Sequence, residues 1–198
     1  INKFEMYVFA RTNSINVAKK TSTVPAFIRK NYSRGSKGAK KITSQKVLDK
    51  IDKEEYIIQE YLDGIEYTVD CLCNRNGSPI IIVPRVRVNA TNVSLIGKID
   101  MDKKIIDFCK NILRKIKFFG PINIQIIKSK NKLYLVEINP RLAGTSILTI
   151  NAGADLLVDG INLLLGNSIR NNKYKIKDNL LMYRYYDELY ISKDAWAR

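Results

Sequence analysis

Histidine is absent from the 198-residue sequence, and its absence excludes several kinds of catalytic chemistry. Without an imidazole, the chain cannot form a Ser-His-Asp or Cys-His nucleophile pair, a histidine metal site or a histidine acid–base pair. Any catalysis within it must therefore use carboxylates, amides, lysines, arginines and a bound metal ion.

Cysteine and long apolar runs are also scarce. The three cysteines, Cys71, Cys73 and Cys109, make an odd number and lack the CxxC spacing of a zinc site, so neither a disulfide framework nor a structural metal site is indicated. No apolar stretch approaches the ~20 residues that cross a membrane, and no segment resembles a signal peptide. We expect a soluble, cytoplasmic protein with no membrane partner and with reduced, buried thiols.

Positive charge is concentrated near the amino terminus. Residues 1–50 carry twelve Lys and Arg against two acidic residues, which accounts for +10 of the total formal charge of +15. A basic segment of this kind attracts anions such as nucleotide phosphates, an acidic substrate or a nucleic acid. A solvated charged surface explains the same composition equally well.

A predicted hairpin after residue 120 gathers polar side chains. Two strand-like runs, residues 122–128 and 132–138, flank a polar turn. Because strand side chains alternate between faces, antiparallel pairing can bring Asn123 and Gln125 towards Glu137 and Asn139. Their oxygen atoms suit Mg²⁺, although a polar hairpin that hydrogen-bonds to itself fits the spacing equally well.

A second predicted hairpin, residues 66–74 and 78–88, carries two arginines near its end. Arg85 and Arg87 are two residues apart, so both guanidinium groups should lie on the same side of the strand. Such a pair suits a carboxylate or a phosphate, and an edge strand made soluble by charge is an equal alternative.

The remaining segments predict a mixture of helices and strands. Helices are expected at residues 3–13, 44–51, 103–116, 145–152 and 155–165, and further strands at 25–29, 39–42, 55–61, 180–186 and 188–192. Ser44 and Asp100 are predicted to cap two of the helices, and residues 89–98 are predicted to form a loop. Hairpins without strict strand–helix alternation indicate an α+β fold.

A small-residue loop at residues 31–38 is rich in hydrogen-bond donors. Glycine allows backbone N–H groups to approach phosphate oxygens, so the loop could cover a polyphosphate. It matches neither the P-loop pattern nor G-x-G-x-x-G, and a surface turn is the alternative interpretation.

The order of these features resembles the ATP-grasp superfamily, in particular carbamoyl-phosphate-synthase-like carboxylate–amine ligases. The Glu-Ile-Asn-Pro-Arg string at residues 137–141, followed by Ala-Gly-Thr at 143–145, is the most specific match. The resemblance implies two α+β lobes with ATP between them. Residues 1–58 would form the small lobe with its glycine-rich flap, and residues 59–198 the large lobe with the metal and phosphate site.

The resemblance also implies roles for individual residues. ATP would contact the first helix, the flap, the hinge and a ribose-binding carboxylate, through Lys3, Arg29, Arg34, Ser36, Lys37, Gln59, Glu60, Tyr61, Leu62 and Glu66. Two Mg²⁺ ions, which Mn²⁺ can replace, would be held by Gln125, Glu137 and Asn139. Arg141 would lie at the transferring phosphoryl group, and Arg85 and Arg87 are expected to clamp an anionic substrate.

Family chemistry implies an ATP-dependent ligase that activates a carboxylate as an acyl phosphate and forms a C–N bond with an amine, or captures it with another nucleophile. Charge neutralisation by metal ions and basic side chains requires no histidine. The sequence begins at Ile1 and lacks the amino-terminal domain that usually precedes Lys3, so we expect a fragment that is incomplete alone. A homodimer is compatible with the resemblance.

Two alternatives come from other functional classes. An ATP-binding regulatory or scaffold protein could keep the fold without turnover, since fold does not fix function. A nucleic-acid-binding domain could use the basic segment, but that segment lacks a recognition motif and interleaved stacking aromatics.

Overall fold

The computed structural model describes residues 2–32, 38–88, 95–169, 174–185 and 187–192. In chain order, the elements within these ranges are α1 (Lys3–Thr12), β1 (Ala26–Lys30), β2 (Lys40–Ile42), α2 (Gln45–Leu48), β3 (Tyr56–Glu60), β4 (Ile65–Cys73), β5 (Pro79–Arg87), β6 (Ile96–Ile99), α3 (Lys103–Lys115), β7 (Gly120–Ser129), β8 (Lys132–Asn139), α4 (Ile147–Asn151), α5 (Leu156–Leu164) and β9 (Leu181–Tyr183). The mixture of helices and antiparallel strands confirms the α+β fold class.

A small antiparallel sheet has the strand order β2-β1-β3. Its core consists of side chains that alternate along the strands, including Ala26 and Ile28 of β1 and Ile58 of β3, together with Leu48 of α2. Burial of this apolar face holds the short strands together. Arg29 of β1 is not part of this core and makes a contact outside the small sheet.

A larger antiparallel sheet has the strand order β8-β7-β4-β5-β6-β9. One face packs against α1 and α3, because alternate residues of β4, such as Val69 and Cys71, join the apolar stripe of α3 and Met6 of α1 in one core. The opposite face packs partly against α4 and α5, through a second core that includes Leu72, Val83 and Leu156. The rest of that face is polar.

The hairpin predicted at residues 122–138 is confirmed. Strands β7 and β8 pair antiparallel, and Lys130 and Asn131 turn the chain with φ of 46° and 60°, the left-handed region that two-residue hairpin turns require. The register places Gln125 opposite Glu137 and Asn123 opposite Asn139.

Several local predictions are corrected. The predicted loop at residues 89–98 is wrong at its end, where residues 96–98 belong to β6, which pairs with both β5 and β9; residues 89–94 lie outside the described residues. Asp102, which directly precedes the first residue of α3, caps the helix in place of Asp100. Asp100 lies two residues earlier and accepts a hydrogen bond from Tyr67. Ser44 precedes α2 without a side-chain cap.

The predicted strand at residues 188–192 is also wrong. Residues 187–192 are irregular, and the side chains of Leu189 and Tyr190 are exposed. An alternating apolar pattern forms a strand only where a neighbouring strand and a buried face receive it. No helix within the described ranges has the length and apolar character needed to cross a lipid bilayer.

Candidate functional site

The register of the large sheet places one row of polar side chains across four adjacent strands. Glu137 lies opposite Gln125, Gln125 opposite Thr68, and Thr68 opposite Arg85. Residues directly opposite each other in antiparallel strands lie on the same face of the sheet. The row therefore runs from the end of β8 to the middle of the sheet on its polar face.

A second row lies beside the first on the same face. Asn139 is opposite Asn123, and Asn123 is opposite Asp70. Both asparagines are buried, and Nδ2 of Asn139 donates to Oδ1 of Asn123 at 3.4 Å. The predicted convergence of Asn123, Gln125, Glu137 and Asn139 is thus present in the structure.

A β-bulge next to Glu137 provides a contact with the small sheet. The register shifts after Gln125, so that Ile126 lies opposite Leu135 and Val136 is an extra residue on β8. The carbonyl oxygen of Val136 accepts a hydrogen bond from Nη1 of Arg29 at 3.0 Å. Arg29 of the small sheet therefore contacts the strand that carries Glu137.

Arg29 is buried despite its charge. Its Nη2 donates to Oε1 of Gln59 at 2.7 Å, and the Gln59 amide donates in turn to the carbonyl oxygen of Ala18 at 2.6 Å. Burial lowers the pKa of Arg29, and the nearby Glu137 carboxylate opposes that shift. Among the described residues, Nε of Arg29 is buried without a hydrogen-bond partner.

Lys3 brings a second cation towards Glu137. It is the first residue of α1, where Asn2 caps the helix, and it is 4% exposed. Burial lowers the pKa of Lys3 and is the largest effect. The Glu137 carboxylate opposes that shift, and the positive charge of Arg29 adds to it. One carboxylate thus lies near two buried cations, and the excess of positive charge favours an anionic ligand.

The predicted hinge, residues 59–62, covers the end of β3 and the two residues after it. Oε1 of Glu60 accepts from the backbone N–H of Lys19 at 2.9 Å, and the N–H of Tyr61 donates to the carbonyl oxygen of Pro25 at 3.1 Å. Leu62 is half-buried directly after them. These contacts fix the path of the hinge between the two sheets.

The two arginines of β5 lie on the same face, as predicted, but in different environments. Arg85 is 2% exposed, and its Nε and Nη2 donate to the Asp70 carboxylate at 2.9 and 3.1 Å. Arg87 is half-buried and pairs with Glu66 at 3.0 Å. The predicted contacts of Arg87 with substrate and of Glu66 with ribose stay predictions, and the two side chains contact each other in this structure.

Sequence reasoning missed the partners of Arg85. Its Nη1 donates to Oγ1 of Thr145 at 2.5 Å, and Oγ1 of Thr149 donates to Asp70 at 2.6 Å. Asp70 stands between Val69 and Cys71 in an apolar strand. A buried carboxylate needs a cation or hydrogen-bond donors beside it. The position of Asp70 in the sequence could therefore have predicted a buried partner such as Arg85.

Arg141 lies two residues after the end of β8 and is exposed. Its Nη1 donates to the carbonyl oxygen of Leu142 at 2.9 Å. Its backbone N–H donates to the carbonyl oxygen of Asn139 at 2.8 Å. Three residues assigned to the flap, Arg34, Ser36 and Lys37, lie outside the described residues.

The donor set at Gln125, Glu137 and Asn139 fits a hard cation that is shared with another ligand. Within the described part of the chain, no group of three or more His, Cys, Asp or Glu forms a metal site. Mg²⁺ prefers oxygen ligands and usually takes only one or two carboxylates, with substrate phosphates completing its coordination. One carboxylate with neighbouring amide oxygens, beside buried cations, therefore suits a metal–phosphate complex.

The chain belongs to the ATP-grasp family. A family model described as "ATP-grasp in the biosynthetic pathway with Ter operon" matches residues 52–185, more than half of the chain. Within that family the chain is similar to the carbamoyl phosphate synthase large chain of Clostridium botulinum (strain Loch Maree / Type A3), 26% identical over 77% of this chain and 16% of the relative. It is also 28% identical to the arginine-specific large chain of Geobacillus stearothermophilus, over 79% of this chain and 17% of that protein.

Solved structures share the fold at low sequence identity. N5-carboxyaminoimidazole synthase from Aspergillus clavatus has a TM-score of 0.76 and 12% identity, covering 92% of this chain and 56% of that chain. The biotin carboxylase domain of Hydrogenobacter thermophilus 2-oxoglutarate carboxylase has a TM-score of 0.74 and 10% identity, covering 88% and 48%. These similarities confirm the predicted ATP-grasp fold. The chain spans about a sixth of the length of the curated relatives it matches.

Proposed function

We propose that this chain is the ATP-binding part of an ATP-dependent ligase that activates a carboxylate as an acyl phosphate for capture by an amine or another nucleophile. The observation that carries the proposal is the cluster in which Lys3 and Arg29 lie near Glu137, beside Gln125 and Asn139. Two buried cations around a metal-type donor set match a nucleotide polyphosphate with its metal. C–N bond formation by relatives named as carbamoyl phosphate synthases supports the reaction class.

The proposed nucleotide site extends from the small sheet to the large sheet. Lys3 and Arg29 would hold phosphate oxygens. Glu66 would bind the ribose hydroxyls, and the hinge and flap would supply the remaining contacts, through Gln59, Glu60, Tyr61, Leu62, Arg34, Ser36 and Lys37. In this proposal the nucleotide lies between a small lobe at residues 1–58 and a large lobe at residues 59–198. Helix α1 belongs to the first range but packs on the large sheet.

Gln125, Glu137 and Asn139 would hold Mg²⁺, as two ions that Mn²⁺ can replace. The metal, when bound, neutralises charge on the phosphates and so supports phosphoryl transfer. Glu137 supplies the anionic ligand, and the bulge at Val136 fixes its position against Arg29. A solved neighbour in complex with MgADP supports the same kind of nucleotide complex here.

Arginines on the polar face would bind the substrate and the developing charge. Arg141, exposed next to Asn139, is proposed to contact the transferring phosphoryl group. Arg87 is nearer to solvent than Arg85, and we assign the direct contact with an anionic carboxylate substrate to it. Arg85 would reach a substrate only after releasing Asp70 and Thr145.

The proposal is tested by measuring ADP release from ATP by the full-length protein against a series of carboxylates, each with and without amines. We expect substrate-dependent release that Glu137→Ala lowers about 100-fold or more, since loss of one preorganised electrostatic contact commonly has that effect. Glu188→Ala changes an exposed carboxylate in the carboxyl-terminal segment and should release ADP like wild type.

Wild-type release by Glu137→Ala would contradict the metal assignment. Tight binding of Mg-ATP without release for any carboxylate would instead favour a regulatory protein without turnover.

A further inference from the structure

The guanidinium of Arg141 is held by local contacts. Within the described residues its side chain donates to the neighbouring carbonyl oxygen of Leu142, and its backbone N–H donates to Asn139. Because this hydrogen bond goes to the adjacent residue, the backbone that follows β8 sets where the exposed side chain can reach. What holds that backbone therefore decides where the guanidinium lies.

The segment after Arg141 is attached to the sheet by two hydroxyl groups, and the carbonyl oxygen of Gly144 also accepts from Nη2 of Arg184 at 3.0 Å. Thr145 precedes α4 and accepts from Nη1 of Arg85, whereas Thr149 lies within α4 and donates to the Asp70 carboxylate. The exposed fractions are 8% for Thr145, 0% for Thr149, 2% for Arg85 and 1% for Asp70. Two side chains four residues apart, one just before α4 and one within it, thus attach to one buried ion pair.

The ion pair also adjoins the proposed metal ligands. Asp70 lies opposite Asn123 on β7, and Asn123 lies opposite Asn139 on β8. Arg85 and Asp70 form a two-bond fork, which fixes orientation as well as distance. Since an apolar pair of similar volume is often as stable as a buried ion pair, the gain from this arrangement is geometric.

We propose that Asp70, Arg85, Thr145 and Thr149 are positioning residues that set the location of Arg141 relative to the metal ligands. The inference rests on the proposed function, in which Arg141 contacts the transferring phosphoryl group. The ion pair fixes the segment through the two hydroxyls, and the segment fixes Arg141. A displacement of about 1 Å at a reacting group can lower a rate by about 100-fold, so the loss of one hydroxyl should be measurable.

The test uses Thr145→Val, which removes the hydroxyl at similar volume, and Thr145→Ser, which keeps it. Both changes are made in the full-length wild type and in Arg141→Ala. In substrate-dependent ADP release we expect Thr145→Val to lower kcat about tenfold or more with KM for ATP little changed, and Thr145→Ser to stay near wild type. In the Arg141→Ala background, Thr145→Val should cause no further loss.

An equal loss of kcat in both backgrounds, or an equal loss for Thr145→Ser and Thr145→Val, would overturn the proposal. Hydrogen exchange of the backbone amides of residues 141–146 supplies a readout that needs no turnover. We expect faster exchange in Thr145→Val than in Thr145→Ser, and unchanged exchange would also overturn it. Failure of the proposed function is recognised separately, because the wild type itself would then release no ADP with any carboxylate.

Discussion

Replacing Arg85 with methionine should destabilise the chain far more than the loss of an ordinary arginine. The Asp70 carboxylate is 1% exposed and accepts from Arg85 twice and from Thr149 once. Without Arg85, Thr149 is the one donor that the described residues still offer to the buried charge. Breaking one side of a buried ion pair costs about 3–5 kcal/mol.

The hydrogen bonds give a similar magnitude. Each bond to a charged group is worth about 1.5–3 kcal/mol, and Arg85→Met removes two from Asp70 and one from Thr145. Methionine recovers part of the loss by filling the site. An expected loss of about 3–5 kcal/mol is a large share of the total of about 5–15 kcal/mol typical of a native protein.

The assay is equilibrium unfolding in urea, followed by circular dichroism, with the free energy of unfolding extrapolated to water. Arg11→Met is the matched control, because Arg11 is an exposed arginine in the last turn of α1 and should cost no more than about 1 kcal/mol. The double variant Asp70→Leu/Arg85→Met removes both charges and should recover most of the loss. A loss for Arg85→Met no larger than that of Arg11→Met would refute the reasoning.

Two further predictions concern the frame around the site. Burial raises the pKa of Tyr67 above its ordinary value near 10, and the hydrogen bond from its hydroxyl to Asp100 at 2.8 Å raises it further. The contribution of this hydrogen bond to the free energy of unfolding is therefore complete below about pH 10 and is lost as the pH rises further. Tyr67→Phe should therefore lower the free energy of unfolding by about 1 kcal/mol at pH 7, and urea titrations above pH 10 should show a smaller difference, whereas a constant difference would contradict the assignment. A Cβ on Gly64 would lie 2.3 Å from the carbonyl oxygen of Lys128, so Gly64→Ala should cost about 1–3 kcal/mol through a backbone shift. A Cβ on Gly144 would have nothing within 4 Å, so Gly144→Ala should change the free energy of unfolding by no more than about 0.5 kcal/mol in the same assay. Equal losses for the two variants would contradict the predicted clash at Gly64.

The polar hairpin could be predicted because its pattern is local. Alternation places Gln125 and Glu137 on defined faces, and a turn of defined length sets their register. The same reasoning correctly placed Arg85 and Arg87 on one face. It could not choose the partners of Arg85, because Thr145 follows it by 60 residues and reaches it only through the packing of α4.

Other features depend on contacts that leave no local pattern. Strand β6 has four residues and includes Gly97, so its pattern resembles a loop, and it becomes a strand because β5 and β9 both pair with it. The bulge at Val136 has no sequence signature of its own, and its carbonyl oxygen became a partner for Arg29 only when the two sheets were brought together.

Strand β4 imposes a constraint on how this protein can change during evolution. Tyr67, Val69, Cys71 and Cys73 lie in the core beneath α1 and α3, whereas Asp70 faces the site. A one-residue insertion or deletion within β4 would exchange these two sets, burying charges in the core and exposing apolar side chains. Descendants of this sequence can therefore acquire new substrates by single substitutions or by changes in loop length, but β4 must keep its number of residues.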